Sequence, residues 1–311
     1  MSPINAAAPR VTIGIPVYNG ETYLPAAVDS LLAQTYTNFE LLISDNCSTD
    51  GTEEIGRGYA ARDSRVRYER HPRNIGIAGN YSSLVTRARG ELFRWAAVDD
   101  MCRPEAIERC VTALDASPGT VMAYAEAQFI DELGAPHKDF VDYEDGLHLV
   151  ASRPSDRFTE CLGHAGMCNP LYGVVRLETL RRTRGLGNYI GSDIVLLAEL
   201  ALYGTFLEIP ERLFLRRIHS EALSSKSNEA QQNGFTPGEV RGTFMREWRH
   251  LWELWRGAMQ APISTSEQAR ITATLLRRGR WNRDQLAREL WLRASALVPT
   301  PVPLPDGRKS A

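Results

Sequence analysis

Apolar positions in the first hundred residues recur in two rhythms. Val11-Thr12-Ile13-Gly14-Ile15-Pro16-Val17 is a β-branched run and reads as a strand, ended by the turn residues Tyr18-Asn19-Gly20. From Thr22 onward Leu24, Ala27, Val28, Leu31 and Leu32 fall at helical spacing, with Pro25 in the first turn, where its missing N–H is tolerated. Phe39 to Ser44 is a second strand that runs into the polar, turn-rich stretch Asp45 to Thr52. A helix over about Glu53 to Ala61 follows, with Asp50 or Thr52 placed to cap it. Arg65 to Glu69 alternates as a short third strand, Arg73 to Gly79 loops into a helix near Asn80 to Arg89, and Leu92 to Val98 is a fourth strand. This alternation predicts an α/β fold, a mostly parallel sheet with helices on both faces.

The Leu92–Val98 run ends on two adjacent carboxylates, Asp99 and Asp100, before Met101 to Glu105 turns into a helix that reaches about Ala116. In open α/β sheets ligands bind beyond the carboxyl ends of the strands. Two carboxylates there repel each other unless a cation sits beside them. Mg²⁺ or Mn²⁺ does this well, because both prefer oxygen ligands and bridge protein carboxylates to substrate phosphates. Taken alone, an Asp-Asp turn is also an ordinary solvated turn. The loops Tyr18-Asn19, Asp45–Thr52, Arg73–Gly79 and Asp99-Asp100 all fall at the same end of the expected sheet, the layout of a nucleotide site.

Beyond Ala116, Val121–Ala125 is a strand, 131–152 a long polar loop containing Asp142, Glu144 and Asp145, Ser155–Leu162 a helix, and Pro170–Val175 another strand. Gly191-Ser192-Asp193 opens an apolar helix over Ile194–Leu202, and Phe206–Ile209 with Leu213–Ile218 are strand-like, ending at His219. Trp248, Leu251, Trp252 and Trp255, then Ile271, Leu275 and Leu276, then Leu286, Leu290 and Trp291 predict three amphipathic helices. Residues 241–293 hold eleven Arg against five acidic residues.

Composition narrows the function classes. With 43% hydrophobic and 24% charged residues the chain is ordinary globular protein, and a net charge of −2 predicts no nucleic-acid partner. Its five scattered cysteines contain no C-x-x-C pair, which argues for a reducing, cytoplasmic setting and against a zinc site. No apolar run approaches the roughly 20 residues that span a bilayer.

Five short stretches then carry a resemblance: Ile15-Pro16-Val17-Tyr18-Asn19, Asp45 to Thr52, Asn74-Ile75-Gly76, Val98-Asp99-Asp100 and Arg217-Ile218-His219. In this order and spacing the chain resembles the inverting glycosyltransferases of family 2, with the GT-A fold. The resemblance implies a nucleotide-diphosphate sugar donor, UDP-linked by family frequency, and Mn²⁺ or Mg²⁺. Pro16, Tyr18 and Asn19 would line the nucleotide pocket, Asp45 would accept hydrogen bonds from the base, and Arg73, Asn74 and Gly76 would lie near base or phosphates. Asp99 would contact ribose or metal, Asp100 the metal, and His219 the metal or phosphates, with Arg217 neutralising diphosphate. Asp193 matches the acid that deprotonates the acceptor hydroxyl, although an Asp at a helix start is by itself a capping residue. Asn169 and Tyr172 would line the acceptor cleft or pack. One departure is Ala97, where the family's frequent D-x-D has its first acid.

The implied organisation is a tail over 1–10, a GT-A domain over 11–220 and a loop or lid over 221–240. A helical extension over 241–296 and a Pro-rich tail over 297–311 complete it. Within the GT-A domain, 11–125 would bind the donor and 126–220 the acceptor. The acceptor would be a glycan, a lipid-linked glycan or a small metabolite. The Trp/Arg helices suit core packing, a homo-oligomer interface, or a peripheral face at the inner side of the cell membrane. Two rivals stand beside transfer: a non-catalytic nucleotide-sugar-binding scaffold, supported by Ala97, and a nucleotidyltransferase. The latter is opposed by a Pro16–Gly20 loop that is neither Gly-rich nor basic.

Overall fold

The computed structural model describes residues 8–143, 146–147, 149–164, 166–220, 222 and 245–295. The expected lid over 221–240, Glu144, Asp145 and the Pro-rich tail lie outside the described residues, Ala222 apart.

Chain order is β1 (Val11–Val17), α1 (Leu24–Leu32), β2 (Phe39–Asp45), α2 (Thr52–Arg62), β3 (Val66–Arg70), α3 (Gly76–Arg87) and β4 (Leu92–Trp95). Next come β5 (Met101–Cys102), α4 (Ala106–Ala116), β6 (Thr120–Ile130), α5 (Pro154–His164), β7 (Val174–Arg176) and α6 (Leu177–Arg182). Then α7 (Ser192–Leu200) and β8 (Thr205–Arg217) lead to α8 (Arg246–Gln260), α9 (Thr265–Trp281) and α10 (Arg283–Ser295). All eight strands join one mixed sheet in the order β3-β2-β1-β4-β7-β6-β8-β5. The β3-β2-β1-β4 half is parallel throughout, as the alternation predicts. Every residue of β1 and β2 is buried, the mark of strands covered on both faces.

Several elements differ from expectation. The strand before the two acids stops at Trp95, because after the Ala96 amide bonds the Gly14 carbonyl the backbone turns away toward β8. The two runs near residues 206–218 form one strand, β8, whose register against β6 slips around Ile209–Arg212. Pro210 sits there without an amide to donate, which suits a bulge. Asn169–Tyr172 is a 3-10 turn rather than strand.

Two apolar clusters sandwich the sheet. One joins Val11, Ile13, Ile15, Leu41 and Ile43 to α1 and α4. The other joins Leu42, Phe93 and Trp95 to α5, α7 and the C-terminal helices, through Phe158, Leu196, Leu254, Ala258, Ile271 and Leu275. The C-terminal helices therefore contribute to the main core, while Trp248, Trp252, Trp281 and Trp291 stay exposed.

Candidate active site

The carboxyl ends of β1 and β2 open into loops that lock together. The Asn19 amide donates to Ser48 Oγ at 2.9 Å, and Thr49 N–H donates to Asn19 Oδ1 at 2.8 Å. The Gly20 amide donates to Thr52 Oγ1 at 2.9 Å. A Cβ on Gly20 would stand 2.6 Å from Val17 and 2.7 Å from Val98, so only glycine lets the two loops close. Asn19 accepts a positive φ of 53°, tolerable for Asn, and Tyr18 is left half-exposed at the rim. Pro16 is buried behind them.

Asp45 is fully buried at the end of β2. Its Oδ1 accepts from the Ser48 amide at 2.8 Å; its Oδ2 accepts from Tyr68 OH at 2.5 Å and Arg70 Nη1 at 3.1 Å. The carboxylate thus faces protein donors, and a base ring reaching it would displace Tyr68 or Arg70. Asn74 Oδ1 gathers Asn46 Nδ2 at 2.9 Å and the Gly76 amide at 2.8 Å. Gly76 has φ of 77° and opens α3. Arg73 is exposed beside it.

The two acids after β4 meet the end of β8. Asp100 is buried, and its Oδ1 accepts from the Arg217 amide at 2.8 Å. Asp99 Oδ2 lies 2.9 Å from His219 Nε2, and the His219 ring packs on Tyr23 at 4.8 Å. Burial, and then the neighbouring Asp99 charge, push Asp100 well above the usual carboxylate range. Arg217 is buried. Its Nε donates to the Asp99 carbonyl at 2.9 Å, and its Nη1 to the carbonyls of Asp131 at 2.9 Å and Glu132 at 2.8 Å. The expected diphosphate partner is therefore built as a clamp that fixes the backbone around the acids. The opposing charge comes from Arg216, which offsets Asp100 and bonds Asn169 Oδ1 and, at 2.8 Å, the Met167 carbonyl.

Asp193 joins this neighbourhood from the other half of the chain. The helix α7 is capped by Gly191, at φ of 83°, so Asp193 is a first-turn residue rather than the cap; its Oδ1 accepts from the Ile194 amide at 2.9 Å. The Cys168 thiol bonds the Asp193 carboxylate, and burial pushes that thiol up strongly. Near these acids Tyr81 and Tyr172, both partly buried, are hydrogen-bonded to each other. Burial raises the Tyr81 hydroxyl to about 12, with Asp99, Asp100 and Asp193 all adding to the shift. Acids from both halves of the chain thus bear on Tyr81.

The C-terminal helix α8 supports this arrangement from behind. His250 Nε2 lies 3.0 Å from the Ile190 carbonyl, and Arg184 bridges Glu199 of α7 at 3.2 Å to Glu253 of α8 at 2.6 Å.

Among the described residues no three His, Cys, Asp or Glu side chains converge as a metal-binding group. The donor chemistry fits a different kind of ion site. Two adjacent carboxylates, one of them pushed toward its protonated form by burial and then by its neighbour's charge, suit Mg²⁺ or Mn²⁺ shared with substrate phosphates. Arg216, Tyr81, Cys168 and His250 were not singled out by sequence. Strand alternation offered a signal for Arg216: adjacent strand residues point to opposite faces, so Arg216 and Arg217 cannot share a role.

Residues 12–158 match the family model described as Glycosyl transferase family 2. An uncharacterized glycosyltransferase of Rickettsia felis is 35% identical over 136 residues, covering 43% of this chain and 22% of that protein. The chain thus spans about a fifth of that relative's length. S. aureus TarS 1–349 in complex with UDP-GlcNAc is similar with a TM-score of 0.62 at 15% identity, over 87% of this chain and 72% of that one. Mannosyltransferase PcManGT from Pyrobaculum calidifontis, in complex with GDP-Man and Mn²⁺, gives a TM-score of 0.55 at 18% identity, over 95% and 78%. At these identities the two likenesses speak for the fold.

Proposed function

Residues 12–158 belong to glycosyltransferase family 2, and from that premise we propose that the chain is an inverting glycosyltransferase. It would move a sugar from a nucleotide diphosphate to a hydroxyl of a glycan, lipid-linked or small-molecule acceptor. The observation that carries the reading is that Asp99 and Asp100, tied to the end of β8 through Arg217 and His219, share an electrostatic neighbourhood at Tyr81 with Asp193 from the start of α7. A uridine donor is favoured. A structural neighbour binds UDP-GlcNAc, and another binds GDP-Man with Mn²⁺.

In this reading Tyr18, Asn19 and Pro16 form one wall of the donor crevice, and Asn74, Gly76 and Arg73 the other. Asp45 fixes the floor on which the base rests. Asp99 and Asp100, with His219 beside Asp99, would hold a Mg²⁺ or Mn²⁺ ion, which would supply charge stabilisation for the diphosphate. Arg216 supplies a cationic field beside it, and Arg217 keeps the Asp99 and Asp131 backbones in place. Asp193 accepts the proton of the acceptor hydroxyl while that oxygen bonds the anomeric carbon and the bond to the diphosphate breaks. One in-line displacement inverts the anomeric centre. The cytoplasm, where nucleotide sugars are made, is the setting the reading implies.

The test is to incubate the protein with UDP-sugars and GDP-mannose and measure nucleotide release, with Asp193→Asn as control. Release that needs the carboxylate, with a product of inverted anomeric configuration by NMR, is expected. Donor binding without turnover on any acceptor offered would contradict catalysis and support the scaffold reading.

A further inference from the structure

The corner between α9 and α10 pairs two strongly exposed large apolar side chains. Trp281 closes α9 with 90% of its surface exposed, and Leu276, one turn earlier, is 71% exposed. Single exposed apolar residues are common, but an indole this bare at a helix end is not. Its surroundings are strongly cationic. An open cleft of about 720 Å³ is lined by Arg277, Arg278, Arg280, Trp281, Asn282 and Arg283. Arg277 lies beneath Trp281 and Leu276 beneath Arg280 at the i, i+4 spacing that puts side chains together on a helix surface. The arginines make modest contacts: Arg277 with Thr274 Oγ1, Arg278 with the Leu162 carbonyl, and Arg283 with exposed Asp284 at 3.7 Å. The sequence over 265–295 carries seven Arg against three acids, while the whole chain is net −2. The positive charge is therefore local to this end of the molecule.

The geometry points to this corner as a docking surface for an anionic lipid bilayer, with Trp281 at the headgroup level and the surrounding arginines on lipid phosphates. Bare aliphatic and indole side chains gain from leaving water only where hydrocarbon receives them. The cations gain only where the surface is negative, and an anionic bilayer offers both. A single corner of this size gives weak, reversible and salt-sensitive attachment. The surface lies outside the donor and acceptor residues named above, so docking and catalysis fail independently.

The experiment is sedimentation of the full chain with vesicles of phosphatidylcholine alone and of phosphatidylcholine mixed with phosphatidylglycerol. Binding to the mixed vesicles only, released by high salt, is the expected result. Arg277→Gln/Arg280→Gln/Arg283→Gln should weaken it by on the order of a hundredfold, and Trp281→Ala by about tenfold or more. Nucleotide binding and the melting temperature should not change in either variant, because these side chains are exposed. Three results overturn the proposal: no binding of the unmodified protein to anionic vesicles, equal binding to both vesicle types, or binding that survives in the triple variant. A dimer dispersed by Trp281→Ala, with no vesicle binding, would assign the corner to self-association instead.

Discussion

Asp100 is held between opposed effects: burial and the adjacent Asp99 favour its proton, while Arg216, Arg217 and the Arg217 amide favour its charge. The first pair wins, so the folded chain keeps a proton that the unfolded chain releases. Stability from this site therefore falls as pH rises from the ordinary carboxylate range toward the raised midpoint. Asp100→Asn keeps the acceptor for the Arg217 amide and removes the charge. It should melt a few degrees higher than the parent at pH 8, with the difference vanishing at acid pH, as differential scanning calorimetry would show. Mn²⁺ should displace the proton, so titrations in buffers of different ionisation enthalpy should give different apparent heats. Asp193 makes a separate prediction. Asp193→Asn should cut kcat by about 10²–10⁴ while leaving donor affinity intact, measured by steady-state kinetics beside a binding assay. The acids and His219 stand out in the sequence because each lies in a short motif just after an apolar run or at the start of one. The clamp geometry of Arg217 does not, since a motif gives residue types and not the direction in which a guanidinium turns.

At the scale of elements, the position of Asp193 depends on how α7 begins. Gly191 is in the left-handed region, and a Cβ there would lie 2.2 Å from His250 Nε2. Gly191→Ala should cost about 2 kcal/mol in denaturant unfolding and lower kcat as well, because α8 would have to back away from the start of the helix. The Glu199–Arg184–Glu253 bridge ties α7 to α8, and Glu199 is buried enough for burial to raise its carboxyl despite Arg184. Arg184→Met would leave that acid without its partner, at a loss of about 3 kcal/mol. The strands and helices of the first half were readable because their apolar rhythms are clean and each ends in turn residues. Elements set by tertiary context were not: β5 exists only because Met101 and Cys102 pair with Leu215 and Phe214. The 3-10 turn at Asn169 likewise follows Cys168, which adopts φ of 59°.

At the scale of the whole molecule, one core runs from the parallel strands through α5 and α7 into the C-terminal helices. Deleting 246–295 would uncover the faces that Leu254, Ala258, Ile271 and Leu275 cover, so a fragment ending near residue 220 should aggregate or melt without cooperativity. Its near-ultraviolet circular dichroism would reveal the loss. Sequence periodicity predicted those helices, but their apolar stripes could equally have faced a partner; only the packed structure shows which residues turn inward. The loop after β4 and the end of β8 bring Asp99, Asp100, Arg216 and His219 together. In the proposed function a nucleotide binds here through a metal held by Asp100. The most direct measurement is calorimetric titration of UDP and GDP, with and without Mn²⁺, into the protein and into Asp100→Asn. One nucleotide should bind, its binding should need Mn²⁺, and Asp100→Asn should abolish it. Failure of both nucleotides to bind with Mn²⁺ present, or undiminished binding in Asp100→Asn, would contradict that proposal.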